Sequence, residues 1–147
     1  MVIDVSMKRK LWIIIVAIVL AMIWIHSLLP TQISAQESGW FTEHIVQPIA
    51  EWLGIEKIST HIVRKLAHAF EYMVLGLLTM ALWKGSAIRS LQMCFAAAFL
   101  DETFQLLSNR GSQVIDVWID LGGAVVGVGL FLLVRILFDR KRNKNSV

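Results

Sequence analysis

Residues 11–29 read LWIIIVAIVLAMIWIHSLL, which is 19 residues without a single Asp, Glu, Lys or Arg. A helix rises about 1.5 Å per residue, so this stretch is long enough to cross a hydrocarbon core of about 30 Å. Lys8, Arg9 and Lys10 precede it, and such a basic cluster is typical of the cytoplasmic end of a spanning helix. The stretch therefore predicts a transmembrane helix near the start of the chain.

A cleavable signal peptide is the alternative interpretation of this stretch, because Ala35 could end a weak cleavage site. The apolar stretch is longer than the usual core of a signal peptide. Cleavage would also leave an odd number of spans in the chain. We therefore expect the first span to be retained.

Three further apolar stretches extend this prediction to a bundle of four transmembrane helices. They cover residues 66–84, 87–107 and 114–138. Composition agrees, since 56% of the 147 residues are hydrophobic and 17% are charged, with a mean hydropathy of +0.65. Soluble domains usually keep about a quarter of their residues charged. We predict an all-α integral membrane fold that forms one domain over residues 1–147, because no length remains for a separate soluble domain.

The segment between the first and second spans, residues 30–60, is polar and mixed. Apolar side chains recur within it at helical spacing, namely Phe41, Ile45, Ile49, Trp52 and Leu53. That pattern is typical of a short helix lying in the membrane interface, with Trp40 and Trp52 as aromatic anchors. An ordinary structured loop is the alternative. Pro48 is expected to break or kink a helix here.

The basic residues predict the orientation of the chain. If the amino terminus lies inside, ten of the 14 Lys and Arg residues lie on the cytoplasmic side. The outer side then holds four, which are Lys57, Arg64, Lys65 and Arg110. Because cytoplasmic segments carry the excess of positive residues, both termini are predicted to be cytoplasmic. The net charge of +3 is thus a topology signal with membrane lipid as its partner, and no nucleic-acid partner is predicted.

The polar residues of the second, third and fourth spans gather at the predicted outer ends of these helices. The candidate residues of an outer-side cavity are Lys65, His68, Glu71, Tyr72, Asp101, Glu102, Gln105, Arg110, Asp116 and Asp120. On the second span, Lys65, His68 and Tyr72 share one helix face through their i, i+3, i+7 spacing. Three helices are thus predicted to direct polar faces into one cavity, and His26 at the end of the first span is a candidate to join them.

An ionisable group in a spanning helix costs about 2.5–3.5 kcal/mol at mid-bilayer and less near the interface. The candidate cavity holds five carboxylates against Lys65, Arg110 and a protonatable His68. The excess negative charge must be met by protons, a cation or a cationic group of a ligand. A polar network that only fastens the helices together is the alternative, but a better balanced set of charges is expected for that role.

Together these motifs resemble the VanZ-like family of bacterial membrane proteins. The resemblance covers roughly residues 24–130 and is carried by KLAHAFEYMVLG at 65–76, DETFQ at 101–105, Arg110, Asp116, Asp120, Gly122, Gly123 and Gly127. It implies a small multi-spanning α-helical protein of the bacterial cytoplasmic membrane. The family is named after an accessory protein of glycopeptide resistance that lowers susceptibility to teicoplanin. Independently of the family, the spacing of Gly123 and Gly127 favours close packing between helices.

Three functional hypotheses remain open. In the first and favoured one, the cavity binds a lipoglycopeptide or a lipid-linked cell-wall precursor, with Arg110 and Lys65 contacting phosphate or carboxylate. In the second, the protein is an intramembrane hydrolase or transferase with Asp101, Glu102 and His68 as general acid/base or metal-ligand candidates. The third, a transporter or membrane assembly factor, is disfavoured because the inner side lacks a polar path. Since nothing in the sequence resembles a Ser-His-Asp triad, a zinc-binding helix motif or a phosphate-binding glycine loop, catalytic residues, metals and cofactors stay unassigned.

Overall fold

The computed structural model describes residues 5–107 and 113–144, which form helices joined by short connections. The helices are α1 (Val5–Leu28), α2 (Thr31–Phe41), α3 (Gln47–Trp52), α4 (Thr60–Leu82), α5 (Ala87–Leu107) and α6 (Val114–Lys144). A π-helical segment, Thr42–Val46, joins α2 to α3. The predicted all-α fold is confirmed.

Three of the described helices, α1, α4 and α6, are long and apolar enough to cross a membrane. Although α5 has 21 residues, it is not among these three. Its polar residues, among them Asp101, Glu102 and Gln105, lower its mean hydropathy. The predicted count of four spans is therefore not confirmed by length and composition.

Helix α4 begins six residues before the predicted second span, at Thr60. Ser59 caps it, because the Ser59 hydroxyl accepts a hydrogen bond of 3.3 Å from the backbone N–H of His61. The cap adds a further turn and a half, so Arg64 and Lys65 lie on the helix and not in the preceding loop. At the other end of the chain, α6 continues beyond the predicted residue 138 into the basic cluster.

The segment between α1 and α4 is helical over residues 31–52, so the loop interpretation is wrong there. Pro48 does not end the helix, because it lies in the first turn of α3, where a missing N–H costs least. The helix instead widens into the π-helical segment directly before it. The predicted apolar stripe is exposed at all of its members, which are Phe41, Ile45, Ile49, Trp52 and Leu53.

Helices α4 and α6 run in the same direction and pack closely through small residues. Gly123 lies against the backbone of Ala69, and one turn further Gly127 lies against the backbone of Met73. A Cβ atom at either glycine would collide with the backbone of α4. Bare backbone at these positions therefore sets how near the two helices approach.

Helix α1 packs against both α4 and α5. Val16 and Ile23 of α1 belong to the buried core of the bundle. Near its end, the indole of Trp24 donates a hydrogen bond of 3.4 Å to the carbonyl of Ala97, and the same ring meets Phe104 edge-on at 5.7 Å. These contacts bring the end of α1 to the polar ends of α4 and α5.

Candidate polar cluster and adjoining groove

Polar side chains of α1, α4, α5 and α6 meet at one end of the bundle. We call this set the polar cluster, and its described members are His26, Lys65, His68, Glu71, Tyr72, Asp101, Glu102, Gln105, Asp116 and Asp120. A cavity of about 50 Å³ lies within it, lined by His61, Arg64, Lys65, His68, Glu102, Gln105, Asp116, Ile119 and Asp120. The structure thus brings together residues that are up to 94 positions apart in sequence, from His26 to Asp120. Arg110, the remaining predicted member, lies outside the described residues.

An ion pair joins the starts of α4 and α6. The ammonium Nζ of Lys65 lies 2.7 Å from Oδ1 of Asp116, and the two side chains are 25% and 23% exposed. At this distance the pair is a charge-assisted hydrogen bond. Lys65 therefore neutralises Asp116 directly and leaves the other carboxylates of the polar cluster to be balanced differently.

His68 lies between carboxylates from two helices. Its Nδ1 is 3.7 Å from Oε2 of Glu71 and 3.9 Å from Oδ2 of Asp101. The amide of Gln105 donates a hydrogen bond of 3.0 Å to the same oxygen of Asp101. The i, i+4 spacing of Asp101 and Gln105 on α5 makes this contact, and it orients a carboxylate that is fully buried.

Asp120 is the most deeply buried acidic residue that α6 contributes to the polar cluster. Its side chain is 2% exposed, and its Oδ1 has no hydrogen-bond partner among the described residues. Its acidic neighbours include Asp101, Glu102 and Asp116. The phenol oxygen of Tyr72 is likewise buried and has no hydrogen-bond partner in residues 5–107 and 113–144.

His26 connects α1 to the polar cluster. Its ring stacks on that of His68 with the centroids 6.2 Å apart, and its Nδ1 lies 3.7 Å from Oε1 of Glu71. On its other side, Nε2 lies 3.7 Å from Oε2 of Glu37 in α2. The first span thus contributes a residue to the site.

A larger groove of about 640 Å³ opens beside the polar cluster, between the end of α1, α2 and the start of α4. It is lined by His26, Ile33, Gln36, Glu37, Ser38, Trp40, Phe41, Val63, Arg64 and Ala67. Arg64 lines both this groove and the polar cavity. The Nε of Arg64 is buried and has no hydrogen-bond partner among the described residues.

Sequence reasoning missed this groove and treated Arg64 only as a topology signal. Its walls come from three helices, so no local pattern marks them. One local signal was present, since Arg64 and His68 are four residues apart and therefore share a helix face. This spacing was the overlooked signal that Arg64 lies beside the predicted cavity.

The model of the VanZ/LLP1 family matches residues 12–135, which include every member of the polar cluster. The chain belongs to the VanZ/LLP1 family. A relative in Bacillus subtilis (strain 168), described as "Uncharacterized membrane protein YwnJ", is 37% identical over 84 residues. These residues make up 56% of this chain and 55% of the relative, so the match spans about half of the relative's length. No solved structure matches the chain.

As a VanZ/LLP1 family member, the chain is a membrane protein with several apolar helices. The polar cavity and the groove differ in what they can hold. The polar cavity, at about 50 Å³, has room for an ion or a few water molecules. The groove, at about 640 Å³, falls in the range of about 300–1,000 Å³ that is usual for organic ligands.

Proposed function

We propose that this protein binds an anionic amphiphile of the bacterial envelope, either a lipoglycopeptide antibiotic or a lipid-linked cell-wall precursor, and thereby contributes to glycopeptide resistance. The observation that carries the proposal is the position of Arg64. This cation lies at the junction of an apolar groove and a polar cavity. An amphiphile has the same division into an apolar chain and a charged head.

The groove offers an apolar chain a surface to bury. Ile33, Trp40 and Phe41 line it from α2, and Val63 and Ala67 line it from α4. Trp40 and Phe41 are 58% and 45% exposed, so a chain that covers them removes apolar surface from contact with the solvent or headgroup region. Each buried methylene contributes about 0.8 kcal/mol. Burial of the chain is therefore a main source of affinity.

Arg64 supports recognition of an anionic head. A guanidinium group matches the geometry of phosphate and carboxylate oxygens, and it binds them through two parallel hydrogen bonds. The Nε of Arg64 has no protein partner among the described residues, so a ligand oxygen satisfies it without breaking a protein contact. Arg64 therefore takes the anion-binding role predicted for Lys65, because Lys65 is already paired with Asp116.

The proposal includes α5 as a fourth span. Asp101, Glu102 and Gln105 are buried in the bundle, whereas Phe95 and Phe99 are exposed. The mean hydropathy of α5 averages over its polar and its apolar side, but in a bundle only the apolar side would contact lipid. A helix whose polar side is covered by other helices can cross the membrane at a lower cost.

We place the polar cluster and the groove at the outer face of the cytoplasmic membrane, with both termini inside. The distribution of basic residues supports this orientation, as described above. At the opposite end of the bundle, Gly85 in the α4–α5 turn lies beside the guanidinium group of Arg135. The end of the bundle with Arg135 is then the inner, cationic end, and the end with the polar cluster is the outer, acidic end.

The test is ligand titration of the purified protein in nanodiscs made of zwitterionic lipid. The probes are an acylated glycopeptide, the same glycopeptide without its acyl chain, a polyprenyl diphosphate and an anionic phospholipid. Arg64→Gln is compared with wild type, and Arg89→Gln is the matched control, because Arg89 lies over the Trp83 ring, away from the groove. Losing a hydrogen bond to a charged group costs about 1.5–3 kcal/mol, so Arg64→Gln should weaken binding about tenfold or more.

The probes also distinguish the possible ligands. Preference for the acylated glycopeptide supports antibiotic binding, and preference for the diphosphate supports precursor binding. Equal binding of the anionic phospholipid would show a general lipid contact and overturn the proposal, as would wild-type affinity in Arg64→Gln. Release of a cleaved product would instead favour the intramembrane enzyme.

A further inference from the structure

We propose that His68, Asp101 and Asp120 bind a divalent transition-metal ion, with Zn²⁺ and Mn²⁺ as the fitting ions. These residues come from α4, α5 and α6, and each offers a ligand atom within 4.8 Å of the other two. Donors bound to one ion at about 2.0–2.2 Å stand about 3–4 Å apart. The three side chains therefore need to move by an ångström or less to close on an ion.

The burial of two neighbouring carboxylates favours a cation between them. Asp101 is fully buried and Asp120 is 2% exposed. Two carboxylates taken out of water either take up protons or need a charged partner or strong hydrogen bonds. Oδ1 of Asp120 has no hydrogen-bond partner in the described part of the chain.

The nearby lysine does not supply this charge. Lys65 is already paired with Asp116 at 2.7 Å. Glu102 adds a further carboxylate to the cavity that Asp120 lines. A doubly charged cation between Asp101 and Asp120 would balance both of their charges.

The surroundings of the three residues fit a metal site in size and in support. The cavity of about 50 Å³ accommodates an ion with one or two water molecules. Gln105 donates to Oδ2 of Asp101 at 3.0 Å, which orients that carboxylate. Such contacts behind the ligands are typical of metal sites and increase their affinity.

The ligand set indicates the class of ion. One imidazole nitrogen with two carboxylate oxygens suits Zn²⁺ and Mn²⁺ better than Ca²⁺ or Mg²⁺, which prefer oxygen ligands alone. Three protein ligands leave at least one coordination position for water or an oxygen of a ligand. Metal binding does not depend on amphiphile binding, because none of the three metal ligands lines the groove.

The test uses the full-length protein in detergent, stripped with a chelator and then titrated with Mn²⁺ or Zn²⁺ by calorimetry. Bound metal is counted by mass spectrometry after dialysis. We expect one ion per chain and at least a hundredfold weaker binding in Asp120→Asn. Asp139→Asn is the matched control on the same helix, since Asp139 is exposed and contacts only Arg142 among the ion pairs described. It should bind metal as the wild type does.

Absence of saturable binding to the wild type would overturn the site, and so would wild-type affinity in Asp120→Asn. If that variant does not fold, X-ray absorption spectroscopy of the metal bound to the wild-type protein identifies the ligand atoms instead. One imidazole among oxygen ligands is expected there. Sulfur ligands or oxygen ligands alone would contradict the assignment.

Discussion

Lys65 and Asp116 form an ion pair of 2.7 Å that joins the first turn and a half of α4 to the first turn of α6. The two helices meet again at Gly123 and Ala69. The polar cluster therefore has two parts. Lys65 and Asp116 fasten the helices, whereas Asp101 and Asp120 near His68 form no ion pair with a lysine or arginine among the described residues.

The Lys65–Asp116 pair should stabilise the bundle. Lys65→Gln leaves Asp116 partly buried without its cation, so we expect the free energy of unfolding to fall by about 1–3 kcal/mol. Adding Asp116→Asn should restore part of this loss, because the stranded charge is removed. Thermal denaturation in detergent measures both, with Lys57→Gln in the preceding loop as the control. Strictly additive effects of the two substitutions would show that the residues do not interact.

Gly123 should be required for the approach of α4 and α6. Gly123→Ala places a methyl group against the Ala69 backbone, which cannot move aside as a flexible side chain would. We expect about 1–3 kcal/mol of destabilisation, measured as a lower melting temperature. Gly122→Ala is the control, because a Cβ there meets nothing within 4 Å. Equal melting temperatures for the two variants would mean that the packing contact is not rigid.

Glu102 should matter for function more than for stability. Glu102→Gln keeps the shape of a side chain that lines the polar cavity but removes one of several neighbouring negative charges. We expect loss of any glycopeptide-resistance phenotype, with membrane abundance and melting temperature nearly unchanged. Glu56→Gln in the exposed α3–α4 connection is the control. If Glu102→Gln loses abundance together with phenotype, the residue is a fastener.

The orientation can be tested independently of any ligand. Reporter fusions after Ser38 and after Asn143 should report opposite sides, external for Ser38 and cytoplasmic for Asn143, because the distribution of basic residues predicts that both termini lie inside. An uncleaved product carrying the first span is also expected, since α1 supplies Trp24 and His26 to the packed bundle. A cytoplasmic signal at Ser38 would contradict the four-span arrangement.

Much of the fold follows from the order of residues. An apolar run such as 11–29 has one favourable structure in lipid, because only a helix satisfies every backbone polar group within its own segment. The hydropathy pattern was less informative for α5. Its polar residues lower the mean hydropathy of α5 towards that of a soluble helix. Only the burial of these residues shows that they face other helices.

The local sequence also predicted which residues share a helix face. The spacing of Lys65, His68 and Tyr72 places them on one side of α4 in any context, since a helix has 3.6 residues per turn. The glycine spacing on α6 predicted a close contact, but not that Gly123 meets Ala69. Helix periodicity determines in which direction a side chain points from the helix axis, but it does not show which neighbouring helix that side chain contacts.

The sequence by itself determined a helical membrane protein with an acidic set of residues at one end, because chain length, hydropathy and helical period are local properties. Only the tertiary structure decided that Lys65 pairs with Asp116, that His68 lies with Asp101 and Asp120, and that Arg64 borders a groove. These relationships depend on how four helices are rotated and how deeply they are set against one another. That arrangement results from close packing at Gly123 and Gly127 and from the contacts of Trp24, which act between segments distant in the chain.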